Sequence, residues 1–191
     1  MGLADLAPSE RHRSAAAGFT DVVRSVADWD APSPVPQWRA RDVVGHLVGW
    51  LPGFLEGGGV SLPPVPSVDD DPALAWDAHV RAVQGLLDDP ATAERTFERP
   101  HVAAQPLAQA IDTFYTVDVF MHTWDLARAA GVEVMLDPEL CTRLVDGMSA
   151  IEEMLRGSGQ YGPAVPVAED ADPQTRLIAF IGRDPAWRPR T

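Results

Sequence analysis

Asp118 and His122 stand one helical turn apart inside an apolar pattern, and a carboxylate and an imidazole placed so can hold a metal or each other. The pattern runs over 107–131, where Ile111, Phe114, Tyr115, Met121, Leu126 and Ala129 recur at i, i+3, i+4 spacing and Gly131 supplies the stop of a helix C-terminus. Asp125 lies one step further along the same stripe. A buried carboxylate without a partner is costly, so this stretch calls for a counter-charge, a hydrogen-bond network or a metal. A second polar intruder lies upstream. On a helix His46 neighbours Asp42, Val43, Gly49 and Trp50, which turns its imidazole along the apolar side between Gly45 and Gly49. Together His46, Asp118 and His122 offer two imidazoles and a carboxylate, a set suited to Zn²⁺, Fe²⁺, Ni²⁺ or Mn²⁺. Spacing alone leaves a hydrogen-bonded His–Asp core cluster equally open.

The elements that must carry these residues are set by periodicity and by proline. A first helix enters at Pro8-Ser9-Glu10 and runs to about 27 with Ala15, Phe19, Val22, Val23 and Val26 inward; His12 and Arg11, Arg13 and Arg24 read as solvated. The alternate prolines of 30–36 cannot be helical and form a linker, with Trp38 plugging the bundle end. A second helix spans about 40–54, interrupted at Pro52, before Gly57-Gly58-Gly59 opens a long loop to Asp71 of the kind used as a lid or connector. The third helix covers about 72–87, with Leu74, Trp76, Val80, Val83 and Leu87 mostly on one side and His79 on the polar flank as a surface residue. Residues 90–105 carry a short extended segment at Thr96-Phe97-Glu98, and His101 falls near the mouth of the site. A fifth helix starts at Asp137-Pro138, shows Leu140, Leu144, Val145, Met148, Ile151 and Leu155 on one face, and ends at Gly157-Ser158-Gly159. An extended Pro/Gly-rich tail over 161–167 precedes a last short helix at about 173–181.

The totals bound the function. At 191 residues, 46% hydrophobic and 23% charged, the chain reads as one globular domain over 1–191. It has no lysine: all 15 basic residues are arginine, against 28 acidic ones, for a net charge of −13. An acidic surface without a basic stripe argues against nucleic acid and anionic membrane as partners. Cys141 is the only cysteine, which excludes an intrachain disulfide and a thiolate zinc site, and its place in a helical pattern makes it a small buried hydrophobe. No run approaches 18 apolar residues and the N-terminus lacks a signal-peptide pattern, so a cytoplasmic protein is expected.

Two motifs carry a family resemblance. The W-x-x-R-D-V-V-x-H-L-V stretch from Trp38 to Val48 resembles the second helix of the DinB-like four-helix bundles related to the metal-binding domain of mycothiol-dependent maleylpyruvate isomerase. The D-V-F-M-H-T-W-D-L-A-R-A-A-G stretch from Asp118 to Gly131, with Tyr161-Gly162-Pro163 and the segment 177–187 downstream, is similar to an actinobacterial metal-binding subfamily. The resemblance spans roughly residues 10–187 and implies an all-α fold: a DinB-like four-helix bundle with an extra short C-terminal helix and an extended tail. It also implies that His46, Asp118 and His122 ligate a divalent metal, Zn²⁺ foremost, with Ni²⁺, Fe²⁺ or Mn²⁺ as alternatives. The maleylpyruvate isomerase has Glu where this chain has Asp118, one methylene shorter.

Three protein ligands leave open positions on a metal, the pattern of a catalytic site. The resemblance implies mycothiol as cosubstrate, in S-transfer or in isomerisation by reversible thiol addition to a small molecule. The isomerase has a further C-terminal domain and this chain reaches only Thr191, so an S-transferase, or a homodimer that closes its own pocket, fits better. The alternative is a non-catalytic metal- or small-molecule-binding bundle. Asp125 is expected either to orient an imidazole N–H or to pair with Arg128, and Trp50, Tyr115 and Trp124 to wall the pocket.

Overall fold

An aspartate followed by proline opens four of the helices, and in three of them the aspartate side chain is also the cap. Asp71, Asp137 and Asp172 each accept a backbone N–H three residues on, from Leu74 (2.9 Å), Leu140 (2.8 Å) and Thr175 (3.0 Å), while the following proline occupies a position whose N–H has no helical partner. In the computed structural model, which describes residues 2–157, Gly159 and 161–189, these caps begin α3 (Pro72–Asp88), α7 (Pro138–Ser149) and α9 (Pro173–Phe180). The other helical elements are α1 (Pro8–Ser25), α2 (Ala40–Glu56), α4 (Pro90–Ala93), α5 (Leu107–Ala110), α6 (Val117–Ala130) and α8 (Glu152–Gly157). A short 3₁₀ turn lies at Leu3–Asp5, and a π-helical stretch, Ile111–Thr116, joins α5 to α6.

Four long helices form the body: α1 packs on α3 and α6, and α2 packs on the same two. Their core includes Phe19, Leu47, Leu51, Leu55, Trp76 and Leu126, all buried. A second apolar cluster, with Phe120, Trp124, Leu140, Cys141, Leu177 and Ile178, fastens α7 and α9 to the outer side of α6. Cys141 is wholly buried, as its helical context suggested, and burial, with Asp137 and Asp172 nearby, pushes its thiol up to about 12. No helix among the described residues is long and apolar enough to cross a membrane.

Several expectations change on contact with packing. The fold is mostly helical, as expected, and the extended segment at Thr96 gains a partner: Thr96–Arg99 (β1) and Val102–Pro106 (β2) form an antiparallel hairpin, with Phe97 opposite Gln105 and Arg99 opposite Val102. Pro52 does not interrupt α2, which continues to Glu56; a mid-helix proline costs about 3 kcal/mol, and burying Leu51 and Leu55 beside it returns about 1.5–3 kcal/mol each. The segment 57–71 is a strap and not a free lid, since Val60 is buried and Leu62, Val65 and Val68 pack on the core. The helix after Asp137 breaks near Ala150 instead of running through to 155; of its expected stop, Ser158 lies outside the described residues.

His12 and His79 are the clearest corrections: both are buried, not solvated. On α1, His12 shares its stripe with Ala15, Ala16 and Phe19; on α3, His79 lies on the stripe of Trp76 and Val83, and Leu74 faces outward instead. His12 Nδ1 meets Gln84 Oε1 at 2.7 Å, and His79 sits edge-on to Tyr115 with ring centroids 5.6 Å apart. Arg11 is also drawn inward, bonded to the Asp112 carboxylate and to the Leu6 carbonyl at 2.6 Å. Burial, and then the nearby His12, lowers the pKa of His79 to about 4.

Two outcomes are expected. The unfolded chain binds a proton at His79 near pH 6.5, whereas the folded one resists it down to about 4. Stability linked to this residue is therefore intact above pH 6.5 and falls by about 3 kcal/mol toward pH 4; urea unfolding across that range will show a shallower pH slope in His79→Phe than in wild type. At Gly58 a Cβ would stand 2.2 Å from the Phe97 ring, so Gly58→Ala is expected to lose about 1–3 kcal/mol and several degrees of Tm in a thermal melt.

Candidate metal centre

The centre forms where α2 and α6 cross. α2 brings His46 and Trp50 on one face, four residues apart, and α6 brings Asp118, His122 and Asp125. The π-helical stretch before α6 sets the rotation at which its polar residues emerge, because a widened turn displaces every later residue of the helix. It also explains the one misplaced apolar residue of the 107–131 pattern: Phe114 is 38% exposed, and Asp112 is turned inward to Arg11.

Asp118 is the hub. Its Oδ2 lies 2.9 Å from His46 Nε2 and accepts the Trp50 indole N–H at 3.0 Å, and its Oδ1 lies 3.4 Å from His122 Nε2. One ligand atom from each of His46, Asp118 and His122 falls within 4.8 Å of the others, so the structure brings together all three residues expected to ligate. Among the described residues this is the only His/Cys/Asp/Glu group close enough to hold a metal ion.

The donor set fits a divalent cation through its protons. His122 Nδ1 donates to Asp125 Oδ2 at 2.9 Å, which fixes the tautomer and directs Nε2 at Asp118. A neutral imidazole facing a carboxylate through its lone pair is unfavourable; a proton or a metal ion must supply the positive charge between them. Consistent with this, burial pushes the Asp118 carboxyl upward, but His122, His46 and the Trp50 indole outweigh it and leave it below the usual carboxylate range. Burial pulls His122 downward, and Asp118 and Asp125 outweigh that and leave it above the ordinary histidine value. His79, by contrast, belongs to a separate buried cluster and is no fourth ligand.

Asp125 settles into the orienting role and not a pair with Arg128, which bonds Glu133 at 2.7 Å. Completely buried, Asp125 receives Arg183 Nε at 3.2 Å and Nη2 at 3.3 Å in addition to His122. Arg183 was not singled out by spacing: it comes after the last helix, 58 residues from its partner, and no local pattern links the two. Trp38 completes the wall, its ring centroid 5.1 Å from that of His46 and 5.8 Å from that of His122. Trp50 also lines the site, whereas Tyr115 and Trp124 are buried in the core. The three candidate ligands open on a cavity of about 1310 Å³, larger than the few hundred to about 1,000 Å³ of ordinary small-molecule pockets.

Two proteins of Mycobacterium tuberculosis, one from strain CDC 1551 / Oshkosh and one from strain H37Rv, both described only as uncharacterized, are each 29% identical to this chain over 182 residues, covering 92% of it and 97% of the relative. No protein-family model matches the chain. No solved structure matches it.

If Asp125 holds His122 in ligating form, Asp125→Asn will weaken metal binding by about 10–100-fold. Competition against a chromophoric chelator measures this directly, and an affinity equal to wild type would remove Asp125 from the site.

Proposed function

We propose that the chain is a divalent-metal enzyme of the DinB-like kind, with His46, Asp118 and His122 as ligands, acting as a thiol S-transferase or isomerase with mycothiol as cosubstrate. The observation that supports it most is the convergence of two imidazoles and a carboxylate on a large cavity, one imidazole being fixed from behind by Asp125 and Arg183. Zn²⁺ suits this set first, and Ni²⁺, Fe²⁺ and Mn²⁺ also accept it. When bound, such an ion lowers the pKa of a thiol or water at its open position and polarises a carbonyl.

The residues divide the work. Asp118 draws both imidazoles to one point while accepting the Trp50 indole N–H, so its carboxylate is held in a single orientation. Asp125 keeps the Nδ1 proton of His122 in place, leaving Nε2 free to ligate. Trp38 and Trp50 lay aromatic rings against His46 on two sides, which lowers the local polarity around it and strengthens its charge interactions. Tyr161 lines the same cavity; burial, with the negative charge of Asp118 nearby, raises its pKa, so its hydroxyl stays protonated as a donor at neutral pH.

Metal content by plasma mass spectrometry, on protein prepared without a metal-binding tag, tests the reading. About one equivalent is expected in wild type and none in His122→Ala; mycothiol transfer assays then separate an enzyme from a non-catalytic binding module. A wild-type protein that neither carries metal nor fills with added Zn²⁺, Ni²⁺ or Mn²⁺ would leave the three residues as a hydrogen-bonded core cluster.

A further inference from the structure

We propose that Arg99 is the anion-binding end of this cavity, so that its occupant is an elongated organic anion: a metal-binding head at the triad, an apolar body and an acidic group at Arg99. The inference rests on the metal-site reading above and names the class of molecule that site takes.

The charge pattern is the first ground. The chain carries 28 acidic and 15 basic groups, yet the cavity lining reverses the balance, with Arg11, Arg99, Arg143 and Arg183 against Asp112 and Asp118. Three of the four arginines are already neutralised: Arg11 by Asp112, Arg143 by Asp5 and Glu139 at 2.9 and 2.6 Å, and Arg183 by Asp125. Among the described residues, Arg99 has no carboxylate partner. Its Nη1 donates to the Phe54 carbonyl at 3.1 Å and its guanidinium lies over the Phe54 ring, 4.8 Å from the centroid. Those contacts hold the head in place and leave Nε and Nη2, with no protein acceptor among the described residues, for a ligand's anionic group.

Rigid placement is the second ground. The hairpin that carries Arg99 is seated by Phe97, whose ring presses on Gly58 so closely that no side chain fits there, and Phe54 stacks on Phe97 at 5.3 Å. At the hairpin tip His101 adopts a left-handed backbone, φ 69°, uncommon outside glycine, and its residue also lines the cavity.

The third ground is the path between the two ends. His46, Trp50 and Phe54 succeed one another at i, i+4 and i+8 on α2, with ring centroids 6.3 Å and then 5.6 Å apart. Eight residues of helix span about 12 Å, so the acidic group and the metal-binding head lie about that far apart, with the body along the Trp50 and Phe54 rings. Carboxylate and phosphate monoester share the required chemistry.

Calorimetric titration of zinc-loaded protein with 8-mercaptooctanoate, 8-mercaptooctyl phosphate and the neutral 8-mercaptooctanol decides it. In wild type at least one anion is expected to bind roughly tenfold or more tightly than the alcohol, and which anion gains more tells carboxylate from phosphate. Arg99→Gln is expected to abolish the preference while the alcohol's Kd and the zinc content stay unchanged, and Arg99→Lys to retain part of it. Equal binding of acid, phosphate and alcohol, no binding of any of them, or a preference that survives Arg99→Gln in protein with an unaltered thermal melt would overturn the assignment. Zinc content is read in the same samples: protein that takes no zinc defeats the metal reading, and the same comparison on zinc-free protein still decides Arg99.

Discussion

The half-buried Asp118 carboxylate is the constraint on which the rest depends. Brought into the interior alone it would cost several kcal/mol, and three nitrogens from two helices surround it: His46 Nε2 and the Trp50 indole N–H on α2, and His122 Nε2 on its own helix. Both imidazoles are held from other sides. Trp38 lies against both imidazoles, and Asp125 and Arg183 anchor His122 from behind. A negative charge so surrounded by nitrogen is as well prepared for a cation as for protons, which is why one geometry suits both a hydrogen-bond cluster and a candidate ligand set.

The pattern of attachment also explains why so much of the chain is engaged in one spot. The Asp125–Arg183 pair ties the segment after α9 to α6 across 58 residues, and the second apolar cluster holds α7 and α9 against the outer face of that helix. The hairpin on the other side of the cavity is positioned independently, through Phe97 on Gly58. One wall is thus set by helix packing and a buried ion pair, the other by a ring lying on bare backbone.

Much of this was legible in the sequence, and the failures have physical causes. Asp118 and His122 were visible because helix period fixes which side chains share a face, and His46 because its neighbours do the same. Proline and aspartate marked the starts of α3 and α7 for reasons of capping alone. His12 reads as solvated because arginines flank it, and His79 falls on the polar flank only if Leu74 marks the inward side of α3, whereas the buried stripe is Trp76, His79 and Val83. Arg183 and the role of Arg99 depend on tertiary contacts across long separations, which no local period encodes. The hairpin was only half visible, as its second strand, Val-Ala-Ala-Gln-Pro, lacks the β-branched alternation that announces a strand.

The π-helical stretch Ile111–Thr116 has a meaning for how this site tolerates change. A widened turn accommodates a residue more than the α-helical path would use, whereas in regular helix each residue turns the remainder by roughly 100°. Removing one amino acid from the stretch would let the helix close into regular form with Asp118 and His122 still at the crossing with α2. Chain length across those six positions is therefore a tolerant quantity: a single-codon deletion there leaves the centre standing, while one between Asp118 and His122 breaks the four-residue spacing that places both on one face.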